Sequence, residues 1–290
     1  MKRSGNVLKT IRGALNAAIA WKRTPAIVLI VFCAFLFMPL YWTLVTSLKT
    51  TKEIFSWPPT LFPKSLTLGH YVKALIHSPI FGNILNSIFY SLTATVIVVT
   101  VAALTTYGFS VYQYRGSTKV ALVFLGTRII PPQSLFVPFV VLFSKLGLIN
   151  TRPAVIIFQF VLVYPLSIWL LKGIFDKFPR ELVDAARIDG ASRIFTLLKV
   201  VLPIVAPGIG AVAIIAFLWT WNAFMFPFLI LNSPQLKPIT VGIFHFVSDR
   251  GIEWGPMAAS SVLAIIPGVV FFIFAQRSIV SGLTLGAVKS

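Results

Sequence analysis

Charge is scarce in this 290-residue chain, and acid is scarcer still: 11% of residues are charged and only seven are Asp or Glu. Ordinary globular domains carry about 25% charged residues, and a soluble fold could not hide the 57% hydrophobic fraction seen here. Cysteine is limited to Cys33, alone inside an apolar run, so no intrachain disulfide can form and a buried, inert thiol is expected. The three histidines, His70, His77 and His245, show no metal-ligand spacing. A phosphate-cradling G-x-x-x-x-G-K-[ST] loop is missing, which excludes ATP hydrolysis by this chain. Neither G-x-S-x-G nor S-x-x-K frames a serine nucleophile, so no catalytic residue, metal or cofactor is expected.

The placement of the few ionisable groups narrows the class further. Glu53, Asp176, Glu181, Asp184, Asp189, Asp249 and Glu253 all fall between the long apolar runs. Proton-driven transporters relay their ion through ionisable groups at membrane depth. Only Arg128 lies clearly inside a run, and a guanidinium does not release its proton. Sodium coupling through carbonyls and hydroxyls stays open.

What is present is apolar length. Six runs, near 26–48, 80–109, 119–146, 153–172, 203–231 and 258–276, are each long enough to span a hydrocarbon core of about 30 Å at about 1.5 Å per residue. The expected fold is an all-α integral membrane protein of six transmembrane helices. The third run is too long for one straight helix, and Pro131 and Pro132 are expected to break or kink it. Pro165, Pro207 and Pro267 fall within later runs; ordinary kinks and a translocation cavity are both open readings.

Basic residues set the orientation. Formal net charge is +18 from 25 Lys and Arg, which sit between the apolar blocks rather than on one soluble face. No nucleic-acid partner is expected, and membrane lipid is. With the N-terminus inside, sixteen basic residues fall on the cytoplasmic side and eight outside, Arg128 lying within a span. That bias places both termini in the cytoplasm. Residues 1–25 read as a cytoplasmic basic segment, either an interfacial helix or disordered. The apolar run after it exceeds the roughly 7–15 residues of a signal core and is read as a retained anchor. Residues 26–290 form a single transmembrane domain with outer segments 49–79 and 232–257 and an inner loop, 173–202.

The inner loop carries the most specific pattern. Pro179, Arg180 and Glu181 suit a helix start, Gly190 a break, and a second helical stretch is expected to end at Pro203. Asp184, Ala185 and Ala186 give a slim helical surface beside acid groups, fit for a partner's groove or for the bilayer surface. From Ala186, three residues lead to Gly190, nine more to Val200, and one more to Leu202 and Pro203. This spacing resembles the E-A-A-x3-G-x9-I-x-L-P signature of permease subunits of ATP-binding-cassette importers. Asp184 stands where Glu is usual, so Glu181 is a candidate to share its role, and Val200 stands where Ile is usual. Asp189, Gly190, Ala191 and Ser192 resemble the D-G-A-S form of the carbohydrate branch. Trp221, Asn222, Phe224, Phe226 and Pro227 resemble its fifth-span motif, and 130–133 and 146–151 its third-span patterns. Residues 282–289 are similar to the end of the smaller of the two paired maltose-type permeases.

The resemblance implies the type I importer architecture, in which this chain works with a second, different permease, two cytoplasmic ATPases that bind the ATP, and an extracytoplasmic solute-binding protein. It places Glu181, Asp184, Ala185, Ala186, Asp189, Gly190, Leu202 and Pro203 at the ATPase contact, with residues 282–289 docking there too. The cell inner membrane is the implied location and a mono- or oligosaccharide the implied cargo; a glycerophosphodiester, or secondary transport without an ATPase, is the alternative. From the residues themselves, Trp219, Trp221, Asn222 and Phe224 are candidates to stack on and hydrogen-bond a sugar, with plain packing of the span the other reading, and Arg128 either faces a wet cavity or snorkels along a kinked helix. The partner permease holding most of the substrate contacts stays open.

Overall fold

A computed structural model of the chain describes residues 28–112 and 116–284, with side chains up to residue 273. The basic segment 1–25 and residues 285–290, part of the stretch read as ATPase-docking, lie outside the described residues. In chain order the main helices are α1 (Val28–Leu48), α2 (Ile80–Val111), α3 (Ser117–Gly126), α4 (Phe136–Lys145) and α5 (Arg152–Phe175). A short α6 (Glu181–Ile188) follows, then α7 (Arg193–Trp221) and α8 (Trp254–Thr284). Five of these, α1, α2, α5, α7 and α8, are long and apolar enough to cross a membrane. The segments Ser117–Ile129 and Pro132–Lys145 meet at 90° and give a sixth span when counted as one; apart from a short antiparallel pairing of Val247–Ser248 with Gly251–Ile252, the chain is the helical membrane protein that hydropathy predicted.

The bend in the third span has the cause read from sequence. A residue before proline is driven out of the helical region, and two such residues follow one another. Ile130 (ψ 119°) and Pro131 (ψ 130°) are both extended, so the single turn at Thr127–Ile129 cannot continue into the turn at Pro132–Leu135. Pro165 and Pro267, by contrast, sit inside uninterrupted helices.

The fifth span departs from expectation at both ends. Pro203 does not end a helix: α7 runs without a stop from Arg193 through Pro203 and Pro207. A π turn at Leu197–Val201 lies directly before Pro203 and widens the ladder where a proline lacks its N–H. At the far end the helix stops at Trp221 rather than near residue 231, and a separate helix covers Met225–Ile230. Asn222 caps the break, its Nδ2 donating to the Leu218 carbonyl at 2.7 Å.

Packing centres on α2, α5 and α7. Small buried residues at helical spacing on α2, among them Ser87, Ser91, Ala94, Val98 and Ala102, let α5 and α7 approach closely. One core, at the α6 end, joins Ile168, Leu171 and Phe175 of α5 with Val183 and with Leu197 and Val201 of α7. A second, at the opposite end, joins Tyr90, Phe143, Phe158 and Phe226. A third seats Phe217 and Trp221 of α7 against α8. Helix α1 stands apart: 6% of its apolar window is buried, against 50% for α5. Its outward face is left for lipid or another subunit.

Candidate functional site

The loop at the α6 end is built as a rigid turn. Lys172 pairs with Asp176 at 2.7 Å and closes α5 one turn below the exit. Phe178 and Val183 are buried as pegs in the first core, and the rest of α6 faces outward. Gly190 adopts φ +76°. Its N–H donates to the Arg187 carbonyl at 3.0 Å, and Ala191 N–H donates to the Ala186 carbonyl at 2.9 Å. Those paired bonds form the left-handed helix stop that glycine favours. Ser192 then caps α7, its Oγ accepting from Phe195 N–H at 3.2 Å. The break expected at Gly190 is therefore a positive φ that turns the chain between two helices.

The sequence-predicted residues here separate into two groups. Glu181, Asp184, Ala185, Asp189 and Gly190 are exposed on or next to α6, with Ala186 half-buried. Asp184 is 69% exposed and, among the described residues, its carboxylate pairs only with Arg187, at 3.8 Å. Leu202 packs into the first core and Pro203 is exposed on α7 beyond the π turn, so neither joins the α6 surface through that helix. Four large apolar side chains beside the acids, Leu182, Ile188 (86% exposed), Ile194 and Phe195, are also uncovered. Sequence reasoning missed the brace behind the turn. Tyr107 donates from its hydroxyl to the Arg193 carbonyl at 3.2 Å, and the Tyr112 ring lies beneath Arg187 (5.2 Å) and Arg193 (5.0 Å). Two tyrosines at the end of an apolar span were the available signal.

Two cavities, each of about 560 Å³, flank the middle of the bundle. Trp219 lines both. Arg128 lies 4.9 Å from the Trp219 ring and donates from Nη1 to the Leu162 carbonyl at 2.8 Å, so its charge is held by a ring face and a backbone oxygen. Asn222 and Phe224 line the other cavity with Trp219. Trp221 does not join them: it is buried, stacks on Phe217 at 5.7 Å and faces Gly268 of α8. Gln159, unremarked in the sequence, lines the same cavity as Asn222. No cluster of potential metal ligands occurs among the described residues.

At the opposite end, polar pegs on α2 hold a loop. Asn83 Nδ2 donates to the Pro234 and Lys237 carbonyls at 2.9 and 2.7 Å. Asn86 Nδ2 donates to Gln235 O at 2.7 Å, Tyr90 Oη to Leu236 O at 2.7 Å, and Ile239 N–H to Ser87 Oγ at 2.8 Å. The Asn150 side chain clasps the start of this loop through the N–H groups of Asn232 and Ser233, both at 3.0 Å. Nearby, Glu53 accepts from Thr60 Oγ1 and Lys64 N–H, both at 2.8 Å. The Lys64 N–H is the main cause that holds its carboxyl below the usual 4.5. A depressed folded-state pKa gives stability that is present above the ordinary carboxylate range and lost as pH falls through the depressed value. Hydrogen exchange at 60–65 is therefore expected to stay slow at pH 4.5 and to accelerate only below it; for Glu53→Gln that acid step should vanish.

A bundle of five apolar spans and one bent pair, with an exposed helix-turn at one end, is matched by a known family. Residues 114–284 fit the model of the binding-protein-dependent transport system inner membrane component. The chain belongs to that family. Among the permease's relatives is the trehalose/maltose transport system permease of Thermococcus litoralis, 34% identical over 91% of this chain and 94% of that one. The sulfoquinovosyl glycerol transport system permease of Agrobacterium fabrum is 32% identical over 87% and 88%. The fold of a bacterial ABC transporter chain involved in import of the polysaccharide alginate superposes with a TM-score of 0.75 at 18% identity, covering 96% of the permease and 98% of that chain. Since the family match takes in α3 through α8, the bent span, the α6 turn and both cavities lie within it.

Proposed function

We propose that this permease is one of two different transmembrane subunits of an ATP-driven importer that passes a sugar from an extracytoplasmic binding protein into the cytoplasm. The observation that carries the reading is the α6 turn: a rigid helix, stop and cap that expose acids and four bare apolar side chains at one end of a membrane bundle. Such a surface fits a soluble partner, and two cytoplasmic ATPases, which bind the ATP, are the partners proposed. Residues 26–290 act as one transmembrane domain with its coupling loop at 173–202, the chain itself holding no cofactor. Closure of the ATPases rocks α6 and, through the Tyr107 and Tyr112 brace, α2 and α7 with it. Relatives named for trehalose, maltose and a sugar glycoside support a sugar over a glycerophosphodiester, and family membership supports an ATPase-driven machine over a secondary transporter.

In this reading the α6 end and both termini are cytoplasmic, in the inner membrane, and the loop at 232–239 faces outward. Single cysteines at Ser65 and Ser248, both exposed, should react with an impermeant maleimide in intact cells. Cysteines at Lys119 and Ser192, also exposed, should react only after permeabilisation. Labelling of Ser192→Cys in intact cells would reverse the orientation. Proteoliposomes holding both permeases and the ATPases should take up sugar with ATP and loaded binding protein; vesicles with this chain alone should not. Uptake by this chain alone would refute the division of labour.

A further inference from the structure

A full positive charge sits at mid-depth in the bundle with no acid to meet it. Arg128 lies on the single turn that precedes the break in the third span. Its Nη1 donates to the Leu162 carbonyl at 2.8 Å, and its Cζ stands 4.9 Å from the Trp219 ring. Leu162 is near the middle of α5 (Arg152–Phe175), so roughly 15–20 Å of helix separates it from either end. A guanidinium held at that carbonyl cannot snorkel to a lipid headgroup. The carbonyl and the ring orient the cation, and neither cancels its charge. All seven acids of the chain are among the described residues, and none of them pairs with Arg128. Its Nε and Nη2 have no hydrogen-bond partner among the described residues, and neither nitrogen is buried. Those two nitrogens form the edge of a guanidinium that takes a carboxylate through two parallel bonds.

We infer that Arg128 binds the anionic group of an acidic saccharide in transit, a carboxylate or a sulfonate, and so sets the charge of the cargo. A cation at membrane depth is costly unless paired, and it marks the path of an opposite charge. A neutral sugar hydroxyl satisfies an N–H but leaves the charge standing. An anion satisfies both. Arg128 lines a cavity of about 560 Å³ whose wall includes Phe139, Phe160, Tyr164 and Trp219. Such rings give a pyranose a face to stack on, whereas a glycerophosphodiester has no sugar ring to offer them. Two other polar side chains of the wall are engaged, Tyr164 Oη with Thr105 Oγ1 at 2.8 Å and Thr127 Oγ1 with Phe124 O at 2.6 Å. That leaves the guanidinium as the open donor of this cavity. The inference rests on the sugar-import reading and narrows its substrate class.

The test uses the complete transporter in proteoliposomes, with uptake normalised to assembled complex and binding protein saturating for each probe that it loads. The acidic probes are radiolabelled digalacturonate and a sulfonated glucoside; the neutral ones are the dimethyl ester of digalacturonate, maltose and trehalose. Wild type should carry an acidic probe, and Arg128→Gln should lower the acidic-to-neutral uptake ratio by about 10- to 100-fold. Arg128→Lys keeps the charge without the fork and should recover part of that ratio. A role in holding the bent span to α5 lowers acidic and neutral probes by one common factor, and an unchanged ratio overturns the assignment. Pairing of Arg128 with an acid of the second permease gives the same unchanged ratio, with loss of permease–permease assembly, and overturns it as well. Wild-type uptake of neutral probes alone overturns the inference and leaves sugar import standing. Uptake of glycerophosphocholine in place of every saccharide overturns the import reading itself, a distinguishable failure.

Discussion

Gly190→Val is expected to abolish solute uptake by the assembled transporter while ATP hydrolysis persists and the spans still insert. At φ +76° a residue with a side chain pays about 1–2 kcal/mol, and a β-branched one more. Nothing lies within 4 Å of an added Cβ, so the strain is in the backbone itself and no neighbour can relieve it by moving. Valine escapes by leaving the left-handed region. That breaks the bonds from Gly190 N–H to Arg187 O and from Ala191 N–H to Ala186 O, and redirects the entry of α7. Gly190→Asn tolerates the left-handed conformation and should keep most uptake. Equal loss in both variants would mean that bulk at this position, not backbone angle, is the cause.

Asp184 probes the same surface through charge. Its exposed contact with Arg187 at 3.8 Å is worth about 0–1 kcal/mol, so Asp184→Ala should leave the thermal stability of the isolated chain unchanged. Within the complex the carboxylate would meet a partner cation and be covered. Stranding that cation costs about 2–5 kcal/mol, so capture of the ATPase should weaken by about 30-fold or more. Asp184→Lys should weaken it further, since repulsion is added to a lost attraction. Pull-down equal to wild type for both variants would return α6 to the role of a helix lying on the bilayer.

The legibility of these features in the sequence follows their range. Spans were readable because a run of apolar residues suffices, and the third-span bend was readable because Pro131 and Pro132 act on their immediate predecessors. Gly190 was equally local. The continuation of α7 through Pro203 was not, because the π turn that absorbs the proline leaves no mark in residue type. Nor was the stop at Trp221 visible, since apolar residues run on past it. The separation of Trp219 from Trp221 was available but unused: two residues along a helix turn roughly 200°, so both could not face one cavity. Gln159 was visible as an amide inside an apolar run. Its bond to the Thr220 carbonyl was not, because only the packing of α5 on α7 reveals it.

Asn83→Ala combined with Asn86→Ala should release the loop at 234–239 and disconnect this end of the bundle, the outer one in the proposed orientation, from the rest. Two amides there each donate to two loop carbonyls, Asn83 to Pro234 and Lys237, Asn86 to Gln235 and Lys237. At about 1 kcal/mol per bond, the pair of substitutions removes about 4 kcal/mol from local order, enough to open the segment. Gly242 attacks the same joint from the other side. A Cβ there would stand 2.4 Å from Asn83 Oδ1 and 2.7 Å from its Cγ, and the side chain is buried too deeply to swing away. Gly242→Ala should therefore push Asn83 off its two carbonyls and reproduce much of the double substitution with one methyl. In both variants, hydrogen exchange across 234–242 should accelerate by two orders of magnitude or more, about what 3–4 kcal/mol of lost protection allows. Stimulation of ATP hydrolysis by loaded binding protein should fall with it, while basal hydrolysis, which the proposed function assigns to the α6 end, should not. Slow exchange with normal stimulation in the double variant would show that the loop is held by its own turns and that the α2 pegs only decorate it.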